Sequence, residues 1–259
     1  RGKSVLDIKP YDRLGAASDF LLTLDSTLTD VLGNNVDEAI LIPFSTANEH
    51  YSAINSIDDF TYTNEWWDPE GSGSTVGTLG STTYWGYSTS IYLPGTSTVQ
   101  SQKRSGFINY GWDTAAGTHL LREYMPSGAP RNVIFDNSYT MQCYVYGDAS
   151  NNQFRFAVDE GDGTDWPGHE VSAWFDIDWV GWRLLEWDLS DPSMVGNWIG
   201  NSVLDGQAYR VDSFQMTFNS ESGTAAGRIY LDNFRVVKKM PGVSIDNERI
   251  ALPQAVSLH

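Results

Sequence analysis

The chain has 259 residues, 41% of them hydrophobic, which is room and core enough for one large β domain or two small ones. Its 10 Trp, 13 Tyr and 11 Phe need packing partners, which excludes disorder as the dominant state. A net charge of −17, from 33 acidic against 16 basic residues, argues against nucleic acid and anionic membrane surfaces as partners, and suits an extracellular or Ca2+-holding protein.

Taken in chain order, the alternating runs predict strands at 20–24, 38–43, 57–62, 88–93, 106–112, 119–125, 139–147, 153–158, 182–189, 209–219 and 227–237. Clusters of Gly, Asn, Asp and Ser separate them, as at 147–152, 160–163 and 219–223. Only 26–32 reads as a helical turn. Short strands joined by hairpin-length loops predict an all-β fold, an antiparallel β-sandwich rather than a βαβ arrangement. The chain divides into three zones. Residues 1–54 are an N-terminal segment, either the end of a preceding β domain or extra strands on the sandwich. Residues 55–239 form the sandwich, and 240–259, with Pro241 and Pro253, read as a linker.

Cys143 is the single cysteine, which excludes an intrachain disulfide and a thiolate zinc cluster. It lies in the alternating run 141–146 and is expected to be a small buried hydrophobe. No apolar run reaches the roughly 18 residues of a bilayer span. The chain opens at Arg1 without Met or leader, so the expectation is a removed signal or a piece of a longer protein.

Catalytic motifs are scarce. Neither G-x-S-x-G nor H-E-x-x-H occurs. Asp176 with Asp178, and Glu186 with Asp188, each place two carboxylates on one strand face, as glycoside hydrolysis would need, but a solvated face explains both pairs. The acidic stretch 159–165 lacks EF-hand spacing and reads as a polar hairpin turn. Aromatics are the strongest signal, and several lie in loop-like sequence. Sugar rings stack on flat aromatic faces, so exposed loop aromatics are candidates for a glycan site, whereas Trp182 and Trp187 are expected in the core.

Two ends of residues 55–239 carry a family resemblance. Ile57-Asp58-Asp59-Phe60 with Trp66-Trp67 resembles the first strand of jelly-roll carbohydrate-binding modules, and 227–236, closing in Leu231-Asp232-Asn233-Phe234, resembles their last. Leu121-Arg122-Glu123-Tyr124, Tyr144-Val145-Tyr146-Gly147-Asp148 and Trp179-Val180-Gly181-Trp182-Arg183 resemble intervening strands, in the expected order. The resemblance implies a structural Ca2+ tying the first strand to the last. Its ligand on the last strand maps to Asp232. Thr61 stands where many members place the other acidic ligand, which leaves Asp58 or Asp59 to substitute. The tail 250–259, beginning Ile250-Ala251-Leu252-Pro253, resembles the lead-in to the C-terminal sorting domain of type IX secretion cargo, which implies export to the cell surface or medium.

The expected function is therefore that of a non-catalytic, secreted or cell-surface module that binds polysaccharide. Trp85, Tyr87, Tyr110 and Trp166 are its candidate aromatics, with Arg122 and Arg155 as polar partners. The alternatives are a structural or assembly protein of a surface layer or extracellular filament, partnered with itself or with neighbouring domains, and a polysaccharide-degrading enzyme on the same sandwich. Neither nucleic acid nor membrane insertion is expected.

Overall fold

The computed structural model describes residues 19–29, 35, 39–45, 50–67, 69–93, 103–240 and 254–256. Its strands are β1 (Asp19–Leu24), β2 (Ile40–Ser45), β3 (His50–Asp58), β4 (Tyr84–Ser88) and β5 (Ser105–Gly111). They continue with β6 (Leu121–Tyr124), β7 (Thr140–Asp148), β8 (Gln153–Gly161), β9 (Gly168–Val171) and β10 (Phe175–Asp176). The last are β11 (Val180–Asp188), β12 (Ala208–Thr217), β13 (Ala226–Met240) and β14 (Gln254–Val256). Among the described residues no helix is long and apolar enough to cross a membrane. The chain divides into two compact units, one of Arg1–Asp7 with Ala53–Lys238, the other of Ile8–Ser52 with Lys239–His259.

The larger unit is an antiparallel β-sandwich of jelly-roll type. One sheet runs β10-β8-β12-β6, with β9 also paired to β8; the other runs β11-β7-β13-β5-β4, with β3 beside β13. Period-2 alternation decides which side chains meet between the sheets. Phe154, Phe156 and Val158 of β8 and Val211, Phe214 and Met216 of β12 face Met141, Cys143 and Val145 of β7 and Ile229, Leu231, Phe234 and Val236 of β13. Phe234 bridges the layers, its ring 4.8 Å from that of Phe214 and stacked at 5.9 Å on Phe156.

The chain departs from the expected alternation in three places. The expected strand at 57–62 instead ends with β3 at Asp58. The Asp58 carboxylate accepts the Phe60 N–H at 2.8 Å, and Phe60 takes a left-handed backbone, φ 53°, which no strand continues. Strand β4 precedes the expected run at 88–93. At Gly86 a Cβ would stand 2.4 Å from the Phe107 ring, so glycine there lets that ring lie across the strand. Trp187 is fully buried as expected, but Trp182 lies on the outer face of its sheet, edge-on to Tyr146 at 5.5 Å.

In the smaller unit β2 pairs antiparallel and β14 parallel to β1, and Phe20 stacks on Phe44 at 5.5 Å. Residues 254–256 thus add a strand inside the segment read as a linker. The remainder of 241–259, with most of the sorting-signal resemblance, lies outside the described residues, as do 30–32 of the expected helical turn.

Candidate functional site

The face of the β8–β12–β6 sheet turned away from the core is polar. Its side chains form three rungs set by strand register: Arg122, Gln215 and Arg155; Tyr124, Ser213, Ala157 and Val171; Arg210, Asp159 and His169. A bulge between Val211 and Ser213 adds Asp212 to the same face, where Arg122 grips it through Nη2 at 2.6 Å and Nε at 3.2 Å. Asp159 accepts from the Arg131 guanidinium, from Arg210 Nε at 2.8 Å and, at 3.0 Å, meets His169 Nδ1. Burial works against the Asp159 charge, but the His169 hydrogen bond and the two guanidiniums outweigh it and hold the carboxyl below its ordinary range. The same bond raises His169. Arg155 donates from Nε to Gln215 Oε1 at 2.8 Å and from Nη1 to the Asn197 carbonyl at 3.0 Å; burial lowers it to about 10.

Loop tryptophans close over this polar floor. The Arg155 guanidinium lies 4.0 Å from the Trp174 ring centre, Arg210 lies 4.4 Å from Trp166, and Arg122 lies 5.1 Å from Trp198 and 4.3 Å from Tyr124. Each is a cation–π contact that holds a flat indole or phenol over the sheet. All four rings are half-buried, so part of each remains open to solvent.

Trp166, Arg122 and Arg155, three of the six residues expected to bind ligand, are brought to this face. The other three are not. Trp85 and Tyr87 share one face of β4 and turn inward, Trp85 stacking on Trp66 at 5.3 Å and the Tyr87 hydroxyl accepting the Asn64 N–H at 2.9 Å. Tyr110 is fully buried in the core; its hydroxyl donates to Asp148 at 2.6 Å, and burial beside that carboxylate pushes it up to about 12. Tyr110 has no face open to a sugar, whereas Trp85 and Tyr87 are half-buried against the core on the other sheet. The residues missed are Tyr124, Trp174, Trp198, Arg210, Asp159, His169 and Asp212. Alternation through 121–124 and 153–159 could have found the strand members; no local pattern marks where Trp174 or Trp198 points.

Asp159, His169 and Asp212 are the one group of three metal-type ligands that converge within 4.8 Å among the described residues. Arg131, Arg210 and Arg122 already neutralise the two carboxylates, so a cation gains little there.

Asp58, Asp59 and Asp232 occupy the turn after β3 and the bulge of β13. The bulge falls between Asp232 and Arg235, with Asn233 left-handed at φ 51°. Asp58 Oδ2 accepts from Trp66 Nε1 and Asn64 Nδ2, both at 2.8 Å, and exposed Asp59 accepts the Thr61 N–H at 3.0 Å. Asp232 is fully buried; its Oδ2 accepts the Leu93 N–H at 2.7 Å, while Oδ1 has no partner. Burial first, then the neighbouring Asp59 and Asp58 charges, raise it to about 7. The oxygens of Asp58, Asp59 and Asp232 do not converge within 4.8 Å, but the orphaned, buried Oδ1 of Asp232 is a group that a hard divalent cation would satisfy.

The carboxylate pairs singled out in sequence are spoken for. Asp176 accepts from Gln153 at 2.7 Å, exposed Asp178 pairs with Arg183 at 3.3 Å, and Glu186 accepts from Gln142.

No protein-family model matches the chain, and no curated protein matches it. Among solved structures it is similar to the family 11 carbohydrate-binding module of cellulosomal cellulase Lic26A-Cel5E of Clostridium thermocellum, at 19% identity over 72% of this chain and 95% of that one, TM-score 0.40. It is also similar to the family 30 module of cellulase Cel9D-Cel44B of Clostridium thermocellum, at 12% identity over 71% and 96%, TM-score 0.40. A third is the Caldicellulosiruptor saccharolyticus module CBM27-1 in complex with mannohexaose, at 15% identity over 71% and 94%, TM-score 0.34. Identity and TM-score are low throughout, and the sandwich stands on its own strand pairing.

Proposed function

We propose that the sandwich binds polysaccharide, without cleaving it, on the outer face of the β8–β12–β6 sheet. One observation carries the reading: Trp166, Trp174 and Trp198 are each held over an arginine on one polar sheet face. Half-exposed aromatic rings supply stacking surfaces for pyranose rings, and the partly exposed Arg122, Arg210 and His169 side chains supply polar groups for hydroxyls. Affinity electrophoresis against plant, algal and bacterial glycans tests it. Retardation by at least one glycan is expected, and loss of Trp174 or Trp198 to Ala should weaken it about tenfold, the equivalent of roughly 1.4 kcal/mol. No retardation by any glycan overturns the reading.

In the same reading the protein works outside the cell, as the tail's resemblance to a sorting lead-in implies; fractionation of cells making the full-length protein tests that. A structural Ca2+ would be held by Asp232 with Asp58 or Asp59. It would neutralise the buried Asp232 and tie the end of β3 to β13. Melting in EGTA and in added Ca2+ tests it: an unchanged melting temperature removes the ion.

A further inference from the structure

A second acidic site lies at the opposite end of β8 from Arg155. Glu160 closes that strand, and the β8–β9 connection and loop 199–207 wrap around it. Together they line a cleft of about 570 Å³ that contains Glu160, Asp162, Asp165, Glu170 and Asp205, and no Lys, Arg or His. Five carboxylates around one cavity without a cationic side chain repel one another.

Acidic clusters on protein surfaces are ordinary; the state of Glu160 is not. It is 8% exposed, and its Oε2 is buried with no hydrogen-bond partner. A buried carboxylate oxygen without a donor is costly, and such groups are normally paired or bound to a metal. No arginine reaches it; the neighbouring Arg210 is committed to Asp159 and to the Trp166 ring. Loop 199–207 nevertheless comes very close. A Cβ on Gly206 would stand 2.3 Å from Glu160 Cγ, and one on Gly200 would stand 2.0 Å from Glu170 Oε1. Glu170 holds the loop by accepting the N–H groups of Asn201 at 2.8 Å and Ser202 at 3.0 Å. The loop thus places Asp205 in the same cleft as Glu160, with no cationic side chain in the lining.

We propose that this cleft binds a divalent cation of the Ca2+ class, with Glu160 and Asp205 as its principal carboxylate ligands. The chemistry fits: Ca2+ takes six to eight oxygens in irregular geometry, and here five carboxylate residues line one space. The site is separate from Asp58, Asp59 and Asp232, and it stands or falls independently of glycan binding.

Calcium titration of the whole chain, after EGTA treatment, decides the matter by isothermal calorimetry. Glu160→Gln should remove one equivalent of bound Ca2+ or weaken that equivalent at least tenfold. Asp205→Asn should do the same, and because Asp205 is exposed this variant should keep the fold. Equimolar Mg2+ should not compete, because it dehydrates reluctantly. Ca2+ uptake identical in wild type, Glu160→Gln and Asp205→Asn overturns the proposal, as does a wild-type chain that takes up no Ca2+.

Discussion

Asp232 shows how one residue is placed in an uncomfortable position by its neighbours. Strand alternation would merely assign it to a face; the bulge at Asn233 and the segment ending at Leu93 bury it completely, with one oxygen unpartnered. Replacing that carboxylate by an amide removes the charge and leaves the shape. Asp232→Asn is therefore expected to melt higher than wild type in EGTA and to show a smaller Ca2+-dependent rise in melting temperature than wild type. Differential scanning fluorimetry with and without Ca2+ reads both effects, and an unchanged Ca2+ response would contradict the assignment. Asp232 was legible in the sequence because the last-strand motif marks it. The burial of Tyr110 was also legible, since alternation sets it on one apolar face with Ile108 and Trp112. The turn at 58–60 explains a miss: the side chain of Asp58 ends the strand earlier than the apolar pattern suggests.

At the scale of elements, β8 and β12 do two jobs with one alternation. Even-numbered residues of β8 supply Phe154, Phe156 and Val158 to the core, and odd-numbered ones supply Arg155 and Asp159 to the polar face. That division is readable in the alternation of 153–159. The roof of the site was not readable, since Trp174 and Trp198 sit in connections whose course depends on contacts distant in sequence. The cross-layer cluster of Phe156, Phe214 and Phe234 binds β8, β12 and β13 together. Truncating Phe234 to Ala should cost about 3–5 kcal/mol, the usual loss for a buried phenylalanine, measurable by urea denaturation. Loop 199–207 makes a sharper test of local geometry. Gly206→Ala places a methyl group against Glu160, so the loop must move away. The expected result is a local loss of amide protection in 199–207 by hydrogen exchange, with the core strands unaffected.

For the whole molecule, raised carboxyls give stability a characteristic dependence on pH: Asp232 and Glu160 above all, with Asp58, Glu170 and Asp212 raised in the same sense. Asp232 and Glu160 titrate at about 7 in the folded state, against ordinary values of 3.8 and 4.5. Between those limits the native chain holds protons that the unfolded chain has released, so stability falls as pH rises from about 4 to above 7. Asp159, lowered from 3.8, works in the opposite sense at the acid end of the range. Cation binding replaces the missing protons. Melting curves in EGTA should thus shift downward from pH 5 to pH 8, and Ca2+ should flatten the slope; a melting temperature that climbs over this interval would refute the account. The solitary thiol supplies a way to watch the same balance in time. Cys143 is wholly enclosed between the layers, and burial there raises its pKa well above the ordinary thiol value, so the closed sandwich cannot offer a thiolate to a reagent. Modification by an aromatic disulfide must wait until the two layers part. The labelling rate of the unaltered protein is then a clock for its opening, and it should tick more slowly when Ca2+ is present.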